Sequence, residues 1–412
     1  MIIKLILSMK RTIAFIIVLF LSYSTVAQQY SGTSKTHTIA SKVFDDAREI
    51  RVFLPYSYTA SQEQTYPTIY LFDAQFDAMF DMTSGITDYL AQIGELTEFI
   101  IVGIKTKHRP REFTPKSIDE RTVSDWENTE IGKAYLLENY LLQEVFPLVE
   151  SSYRTKPLRL AIGHSLGGTF VLNSILSHPE MFKGIIAISP NVSYDYEQLV
   201  HRFDAYFKTH DTLNKFIFVS AGTVGNMENR FAASLKKLDD VISYHKPKGL
   251  KYNYKVFQDE NHSTSPLPTI SQGLMAFGDL WVMSETQKQN YLNDDKQSFL
   301  SHLKAFYSDL SNWAGFEVLP TVDEANMFGY DCLNKDPKAA LNVFDWALNL
   351  YPNDANLHDS KAEAYEKNGD LKNAKLYYKK ALDVLEKNKA TLHPEDYAFY
   401  LETFTEHLKK LD

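Results

Sequence analysis

The sequence predicts an α/β domain built on a mostly parallel sheet, followed by a small all-helical domain. Between about residues 35 and 283, short apolar runs alternate with segments of helical periodicity, which is the pattern of an α/β sheet. The later runs are apolar throughout, as expected for parallel strands that are buried on both faces. After Met283 the runs stop, and from Lys296 onward every segment reads as helix or turn.

Eight runs are candidate strands. The first two alternate polar and apolar residues, which favours an antiparallel start to the sheet. Strands are predicted at Lys35–Val43, Glu49–Leu54, Thr68–Phe72, Phe99–Ile104, Leu158–Ile162, Gly184–Ser189, Lys215–Ser220 and Tyr252–Phe257. Helices of this domain are predicted at Gly132–Glu150, Gly168–Ser177, Tyr196–Thr209, Glu228–Leu238 and Thr269–Met283.

Length and composition indicate a globular protein of more than one domain. The chain has 412 residues, of which 44% are hydrophobic and 23% charged, and this is enough to bury a sizeable core. Its net charge of −9 disfavours nucleic acid and anionic membrane surfaces as partners. Cys332 is the only cysteine, so an intramolecular disulfide and a cysteine-based zinc site are excluded.

The N-terminus has the pattern of a secretory signal peptide. Lys10 and Arg11 are basic, Ile13–Leu21 is apolar but too short for a comfortable membrane span, and small residues precede a cleavage point after Ala27. We therefore expect residues 1–27 to be removed, with export to a bacterial periplasm or exterior and no stable membrane insertion after cleavage. An uncleaved membrane anchor is the alternative.

The rest of the chain is predicted to divide into three parts. Residues 28–285 form the α/β domain, residues 286–320 form a helical linker, and residues 321–412 form the small helical domain. The division rests on the change of pattern near residue 283 and on a mostly polar stretch directly after it.

The helical domain contains two segments that match at an offset of 34 residues. Small residues at matching places allow two helices to pack closely, and aromatic residues fill the groove beside them. The matching positions are Ala340, Phe344 and Ala347, which recur as Ala374, Tyr378 and Ala381. The pattern resembles tetratricopeptide repeats, for which this is the expected period. Such repeats can bind a protein partner, but an array this short need not bind one. A generic helical bundle is the alternative.

The most informative stretch is a Gly-x-Ser-x-Gly motif at Gly163–Gly167, centred on Ser165. The motif indicates a nucleophile only where it joins a strand to a helix. Here a predicted strand ends at Ile162 and a predicted helix begins at Gly168. Glycines provide the room that such a tight turn needs. We therefore predict that Ser165 is a nucleophile held on a strained corner.

A serine nucleophile needs a base, and His262 is the best candidate. It lies in a polar loop directly after the last predicted strand, where an α/β sheet collects its site residues. Four other histidines follow Ser165 in this domain, but they lie at helix ends, on exposed helix faces or in a lysine-rich loop. They are His178, His201, His210 and His245.

The sequence offers several alternatives for the group that orients the base. The loop after the strand Lys215–Ser220 contains one carboxylate, Glu228, which also opens a predicted helix and could simply favour the helix dipole. Asp259 and Glu260 precede the base by two or three residues. A Ser–His dyad with a backbone carbonyl is a further alternative, because orientation of the ring needs only an acceptor.

Backbone amides are expected to bind the oxyanion. One donor is the N–H of Leu166, directly after the nucleophile, and the second comes from the loop after the strand Thr68–Phe72. In that loop Ala74 and Gln75 are the candidate donors.

Four segments together resemble a family of α/β-hydrolases, the putative esterases, which includes enterochelin and other siderophore esterases, feruloyl esterases and S-formylglutathione hydrolase-like enzymes. They are Tyr70–Ala74, Gly163–Gly168, Ile188–Asn191 and Asn261–Ser263. The resemblance spans about residues 35–283 and implies an α/β-hydrolase fold with Ser165 as nucleophile and His262 as base. By the same resemblance Arg109 and Arg111 lie near the pocket and bind an acidic group of the substrate. The family often has an acidic residue where this chain has Asn226.

These observations predict an exported serine esterase that forms an acyl-enzyme on a small-molecule ester, with siderophore and feruloyl esters as candidate substrates. The chemistry requires no metal and no organic cofactor. The alternative is a catalytically weak hydrolase scaffold that serves as a protein-binding module through its helical repeats.

Overall fold

The fold is described from a computed structural model, which covers residues 32–60, 64–392 and 394–411. The predicted signal peptide, residues 1–27, lies outside the described residues. Within the described part of the chain, no helix is both long enough and apolar enough to cross a membrane.

One eight-stranded sheet organises the first two-thirds of the chain, in the order β1-β2-β4-β3-β5-β6-β7-β8. Strand β2 is antiparallel to both of its neighbours, and all other neighbouring strands are parallel. The predicted mixed sheet with an antiparallel start is thus confirmed. The strands are β1 Thr33–Ser41, β2 Asp46–Leu54, β3 Tyr66–Phe72, β4 Ile100–Ile104, β5 Thr155–His164, β6 Gly184–Ile188, β7 Phe216–Ala221 and β8 Lys251–Val256.

Helices follow most strands and then fill the rest of the chain. Among the described residues, the sheet region has ten α-helices, which are α1 Ser57–Ala60, α2 Asp77–Gln92, α3 Arg109–Phe113, α4 Glu120–Asp125, α5 Ala134–Tyr140, α6 Phe146–Ser152, α7 Leu166–Ser177, α8 Gln198–Phe207, α9 Asn226–His245 and α10 Pro266–Trp281. A short 3₁₀ helix, Tyr194–Glu197, precedes α8. A π-helical turn, Leu141–Val145, joins α5 to α6. The later helices are α11 Glu285–Leu292, α12 Phe299–Ala314, α13 Val322–Leu333, α14 Pro337–Leu350, α15 Ala355–Lys367, α16 Leu371–Asn388 and α17 Pro394–Lys409.

The central strands of the sheet are buried on both faces, because helices cover both sides and successive residues of a strand point to opposite sides. In β3, Tyr70 and Phe72 belong to a core that α5 to α9 cover, whereas Ile69 and Leu71 belong to a second core under α2 and α10. Burial on both faces explains why the central strands are apolar throughout their length.

The second core continues from the sheet into the later helices. Leu303 of α12, Phe328 of α13 and Phe344 of α14 belong to the same buried cluster as the sheet residues. Polar contacts add to this junction, since the indole of Trp313 donates to the carbonyl oxygen of Gly249 at 3.0 Å. Helices α12 to α15 are therefore attached to the sheet through a continuous core, whereas the buried residues of α16 and α17 form separate clusters.

Helices α14 and α16 repeat the same local design. They begin at Pro337 and Leu371, 34 residues apart, and the six matching small and aromatic residues named above are all buried. Asp336 and Asp370 cap the two helices by accepting backbone N–H groups of the first turn. The offset seen in the sequence thus extends to the helix starts and their caps.

Candidate active site

The candidate site lies where six parallel strands end. Strands β3 to β8 run in the same direction, so the loops that follow them meet at one edge of the sheet. These loops carry Asp73, Ser165, Ser189, Gly222 and His262. Residues that are far apart in the sequence therefore converge because of the strand order.

Ser165 occupies the corner between β5 and α7, with φ 60° and ψ −118°. A positive φ is unfavourable for a non-glycine residue and is kept only where the surroundings hold it. The amide of Ser165 donates to the carbonyl oxygen of Ile188 at 2.9 Å, which ties the corner to β6. A Cβ atom on Gly163 would lie 2.2 Å from the carbonyl oxygen of Gly167, so only glycine fits there.

His262 contacts the one carboxylate of the loop after β7. Its Nδ1 lies 2.8 Å from Oε2 of Glu228, which is only 1% exposed. The other oxygen of Glu228 accepts hydrogen bonds from Ser189 Oγ at 2.6 Å and from the amide of Gly222 at 2.5 Å. Burial alone raises the pKa of Glu228, but these bonds outweigh it and lower the pKa below its ordinary value, so the carboxylate stays ionised.

The alternatives for the orienting group take different positions. Among the described residues, neither Asp259 nor Glu260 forms a hydrogen bond with the ring of His262; instead the backbone carbonyl of Glu260 accepts the amides of Thr223 and Val224. Asn226, at the position that is often acidic in the resembled family, begins α9 two residues before Glu228. Glu228 therefore reaches the histidine from the first turn of that helix.

His164 packs against the ring of the candidate base, His262, and forms a hydrogen bond to its backbone. The two imidazole centroids are 4.4 Å apart, and Nε2 of His164 lies 2.9 Å from the carbonyl oxygen of His262. A carbonyl can only accept, so Nε2 of His164 bears the hydrogen. Burial, together with the neighbouring His262, lowers the pKa of His164 to about 3. His164 is thus a neutral ring beneath the base.

Ser165, the predicted nucleophile, and His262, the predicted base, are neighbours without a direct bond. Within the described residues, no hydrogen bond joins the Ser165 hydroxyl to His262; the ring is placed through Glu228 and through His164, the residue before the serine. Such bonds are often long without substrate and tighten in the reacting complex.

The predicted oxyanion donors differ in availability. Leu166 is the first residue of α7, where backbone N–H groups have no partner within the helix. The amide of Ala74 donates to the carbonyl oxygen of Ile104 at 3.1 Å, so it is taken up by the protein itself. This corrects the prediction for Ala74 and leaves Gln75 as the candidate in that loop.

Both predicted substrate-binding arginines pair with protein carboxylates. Nε of Arg109 lies 2.7 Å from Oδ1 of Asp73, and Nε of Arg111 lies 3.1 Å from Oε2 of Glu130. Arg109 is therefore next to the site, but its partner is an internal carboxylate. Sequence reasoning missed Asp73, whose left-handed backbone (φ 65°) and burial no local pattern indicates.

A cavity of about 350 Å³ opens beside the turn Gly163–Gly167, called the nucleophile corner because it carries the predicted nucleophile Ser165. Its walls come from the segment before α4, from α5 and α7, and from α8 with the loop that precedes it. Thr169 and Asn191 line the cavity and also bond to the carbonyl oxygen of Ser165. Ser165 itself is not in the wall, so the cavity adjoins the site.

In the part of the chain that the structure describes, one group of side chains is close enough to share a metal ion. It consists of Asp359, Glu363 and His407, in α15 and α17. Nδ1 of His407 lies 2.9 Å from Oδ2 of Asp359, so the pair is already bonded. The group belongs to the helical region and none of its members is in a loop beside Ser165.

Comparison with known proteins agrees with this fold. The chain is 25% identical over 280 residues to the ferri-bacillibactin esterase BesA of Bacillus subtilis, which covers 61% of this chain and 94% of that protein. It is 24% identical over 244 residues to the apo-salmochelin esterase of Escherichia coli O6:H1, covering 56% and 75%. The crystal structure of an IroE-like serine hydrolase from Shewanella oneidensis superposes with a TM-score of 0.63 at 18% identity, covering 81% of this chain and 98% of that one.

This structure matches 81% of the chain, whereas the sheet region makes up less than two-thirds of it. The match therefore includes some of the later helices. A family model described as "Putative esterase" matches residues 41–296, more than half of the chain. The chain therefore belongs to this esterase family and is a carboxylic ester hydrolase.

Proposed function

We propose that the protein hydrolyses esters through an acyl-enzyme on Ser165, with His262 as general base and Glu228 as the group that orients it. The observation that carries the proposal is the 2.8 Å contact between Nδ1 of His262 and the buried, ionised Glu228. A carboxylate there fixes the ring and stabilises the imidazolium that forms during the reaction.

In the first half of the proposed reaction, Nε2 of His262 takes the hydroxyl proton as Ser165 Oγ attacks the ester carbonyl carbon. The amides of Leu166 and Gln75 bind the resulting oxyanion. The carbon–oxygen bond to the alcohol then breaks, and the imidazolium gives its proton to the departing alkoxide. Water repeats the sequence on the acyl-enzyme, releases the carboxylic acid and returns a proton to the serine.

Replacement of the nucleophile tests this proposal. Ser165→Ala is expected to abolish hydrolysis of p-nitrophenyl acetate and labelling by a fluorophosphonate, which reacts only with an activated serine. The matched control is Ser271→Ala on α10, which removes a hydroxyl that, among the described residues, bonds only to carbonyl oxygens of its own helix. Hydrolysis by Ser165→Ala at the wild-type rate would contradict the proposal.

We propose siderophore esters as the substrate class, because two relatives of this chain are named as ferri-bacillibactin and apo-salmochelin esterases. A substrate panel tests this, comparing kcat/KM for catecholate lactones with that for feruloyl sugars and simple acetates. A preference for the lactones supports the proposal; a preference for feruloyl esters would replace it with the second class.

We also propose that the protein is exported after cleavage behind Ala27, on the basis of the signal pattern in residues 1–27. N-terminal sequencing of protein secreted by a bacterial host tests the cleavage point. Gln28 as the first residue is the expected result, and an intact N-terminus in the membrane fraction would contradict it.

For the later helices we propose a tetratricopeptide-type arrangement, supported by the offset between α14 and α16 and by their matching caps. A protein partner of these helices remains a prediction.

A further inference from the structure

We propose that Asp73 and Arg109 are positioning residues that hold the oxyanion loop, Asp73–Phe76, against the nucleophile corner. The proposal rests on the proposed role of Ser165 as nucleophile. It gives Arg109 a different task from the substrate binding that the family resemblance implied.

The two side chains form a bidentate pair in a buried setting. Nε of Arg109 donates to Oδ1 of Asp73 at 2.7 Å, and Nη2 donates to Oδ2 at 2.9 Å. Asp73 is 1% exposed, whereas Arg109 is 31% exposed. A planar guanidinium that meets a carboxylate with two parallel bonds fixes both distance and orientation. The buried charge of Asp73 also needs this partner, since an unpaired buried carboxylate is costly.

The pair reaches the nucleophile corner at two points. Nη2 of Arg109 lies 3.4 Å from the carbonyl oxygen of His164, the residue before Ser165. Oδ2 of Asp73 would lie 3.3 Å from a Cβ atom added to Gly167. The carboxylate therefore packs directly against the turn that carries the nucleophile.

The same carboxylate holds the oxyanion loop. Oδ1 of Asp73 accepts a hydrogen bond from Nε2 of Gln75 at 2.8 Å. The other end of that side chain, Oε1, accepts the amide of Thr106 at 3.0 Å. Gln75 is thus held at both ends of its amide group, and its backbone N–H is the candidate donor to the oxyanion.

These contacts make the distance between two oxyanion donors depend on one ion pair. The amide of Leu166 moves with the nucleophile corner, and the amide of Gln75 moves with the loop; Asp73 and Arg109 join the two. Removing one oxyanion donor lowers kcat by about 100- to 1,000-fold, and a displaced donor is expected to lose part of that.

Three variants test the proposal. Arg109→Lys keeps the charge but loses the fork, which lysine cannot reproduce. Asp73→Asn keeps the shape but loses the charge, and the double variant Asp73→Asn/Arg109→Lys tests whether the two act as one unit. The control is Arg159→Lys, because Arg159 is similarly exposed (23%) and pairs with Glu150, well before the end of β5.

Two matched esters separate positioning from substrate binding. One is the neutral p-nitrophenyl acetate, and the other is its acidic counterpart, a p-nitrophenyl hemisuccinate. For both esters kcat is expected to fall about 10- to 100-fold in each single variant while KM changes less than about threefold, since the loss concerns only the transition state. The rate of fluorophosphonate labelling should fall in parallel, and the double variant should lose no more than the worse single one.

The outcomes are distinct. If Ser165→Ala is inactive but Asp73→Asn and Arg109→Lys keep the wild-type kcat with intact circular dichroism, the positioning proposal is overturned and the proposed function stands. A rise in KM for the hemisuccinate alone would also overturn it, since Arg109 would then bind the substrate. If Ser165→Ala hydrolyses both esters normally, the proposed function fails and takes the positioning role with it.

Discussion

Replacing His164 by glutamine should remove a specific part of the protein's sensitivity to acid. His164 lies beneath His262, and its buried ring has a pKa of about 3 against an ordinary value of 6.5. A glutamine can still donate to the carbonyl oxygen of His262 through its side-chain amide, but it does not titrate. The variant therefore isolates the protonation of this one ring.

The sign and size follow from linkage. The unfolded chain binds a proton at His164 below pH 6.5, whereas the folded chain does not until the pH nears 3, so the free energy of unfolding falls as the pH falls. Between pH 7.5 and pH 5 the wild type should lose about 2 kcal/mol through this residue, from 1.5 pH units at about 1.36 kcal/mol each. At pH 5 the ring is still neutral in the folded protein, so the size of the change in unfolding free energy depends only on the ordinary pKa of the unfolded chain.

Urea unfolding followed by tryptophan fluorescence at pH 7.5 and pH 5 measures this difference. The wild type is expected to lose about 2 kcal/mol more than His164→Gln between the two pH values. Replacement of the exposed His201 by glutamine is the control for a general effect of losing a histidine. Equal losses in the wild type and in His164→Gln would refute the reasoning, because His164 would then titrate alike in both states.

Four further predictions follow from the same contacts. Gly163→Ala should destabilise the protein by about 1–3 kcal/mol and abolish ester hydrolysis, since its Cβ would meet a backbone oxygen at 2.2 Å. The control Gly85→Ala lies within α2, where an added Cβ meets nothing within 4 Å among the described residues; it should leave hydrolysis unchanged and raise stability by about 0.5–1 kcal/mol. Glu228→Gln should lower kcat/KM by about 100-fold or more. A larger loss in Asp259→Asn would contradict the proposal that Glu228 orients His262. Leu303→Ala should cost about 2–5 kcal/mol in urea unfolding and shift a single transition, because the core is continuous; two separate transitions would contradict this. A chelator such as EDTA should leave hydrolysis unchanged, and a loss that zinc restores would contradict the metal-free mechanism.

The sheet was predictable because its signals are local. Each of the eight candidate runs is a strand, and the boundaries differ by only a few residues. The Gly-x-Ser-x-Gly turn was also readable, since the crowding at Gly163 arises within five residues of the chain. Strand periodicity and the crowding in a tight turn both depend on residues that are close together in the chain, so the sequence alone can reveal them.

The sequence limited the group that orients His262 to a few alternatives but did not select Glu228 among them. A carboxylate at the start of a helix reads the same whether it serves the helix dipole or a distant histidine. The fold distinguishes the two, because parallel strands β7 and β8 deliver both loops to one edge of the sheet. The alternatives Asp259 and Glu260 were nearer in sequence and yet do not bond to the ring of His262.

The sequence alone established the class of the fold, the strained serine and the loops that hold the candidate base and its carboxylate, since each depends on residues close together in the chain. Tertiary contacts decided which partners meet. Asp73 captures Arg109, the carbonyl oxygen of Ile104 takes the amide of Ala74, and the core of the sheet continues into the later helices. These partners are tens of residues or more apart, and the order of strands in the sheet, which no local pattern encodes, brings them together.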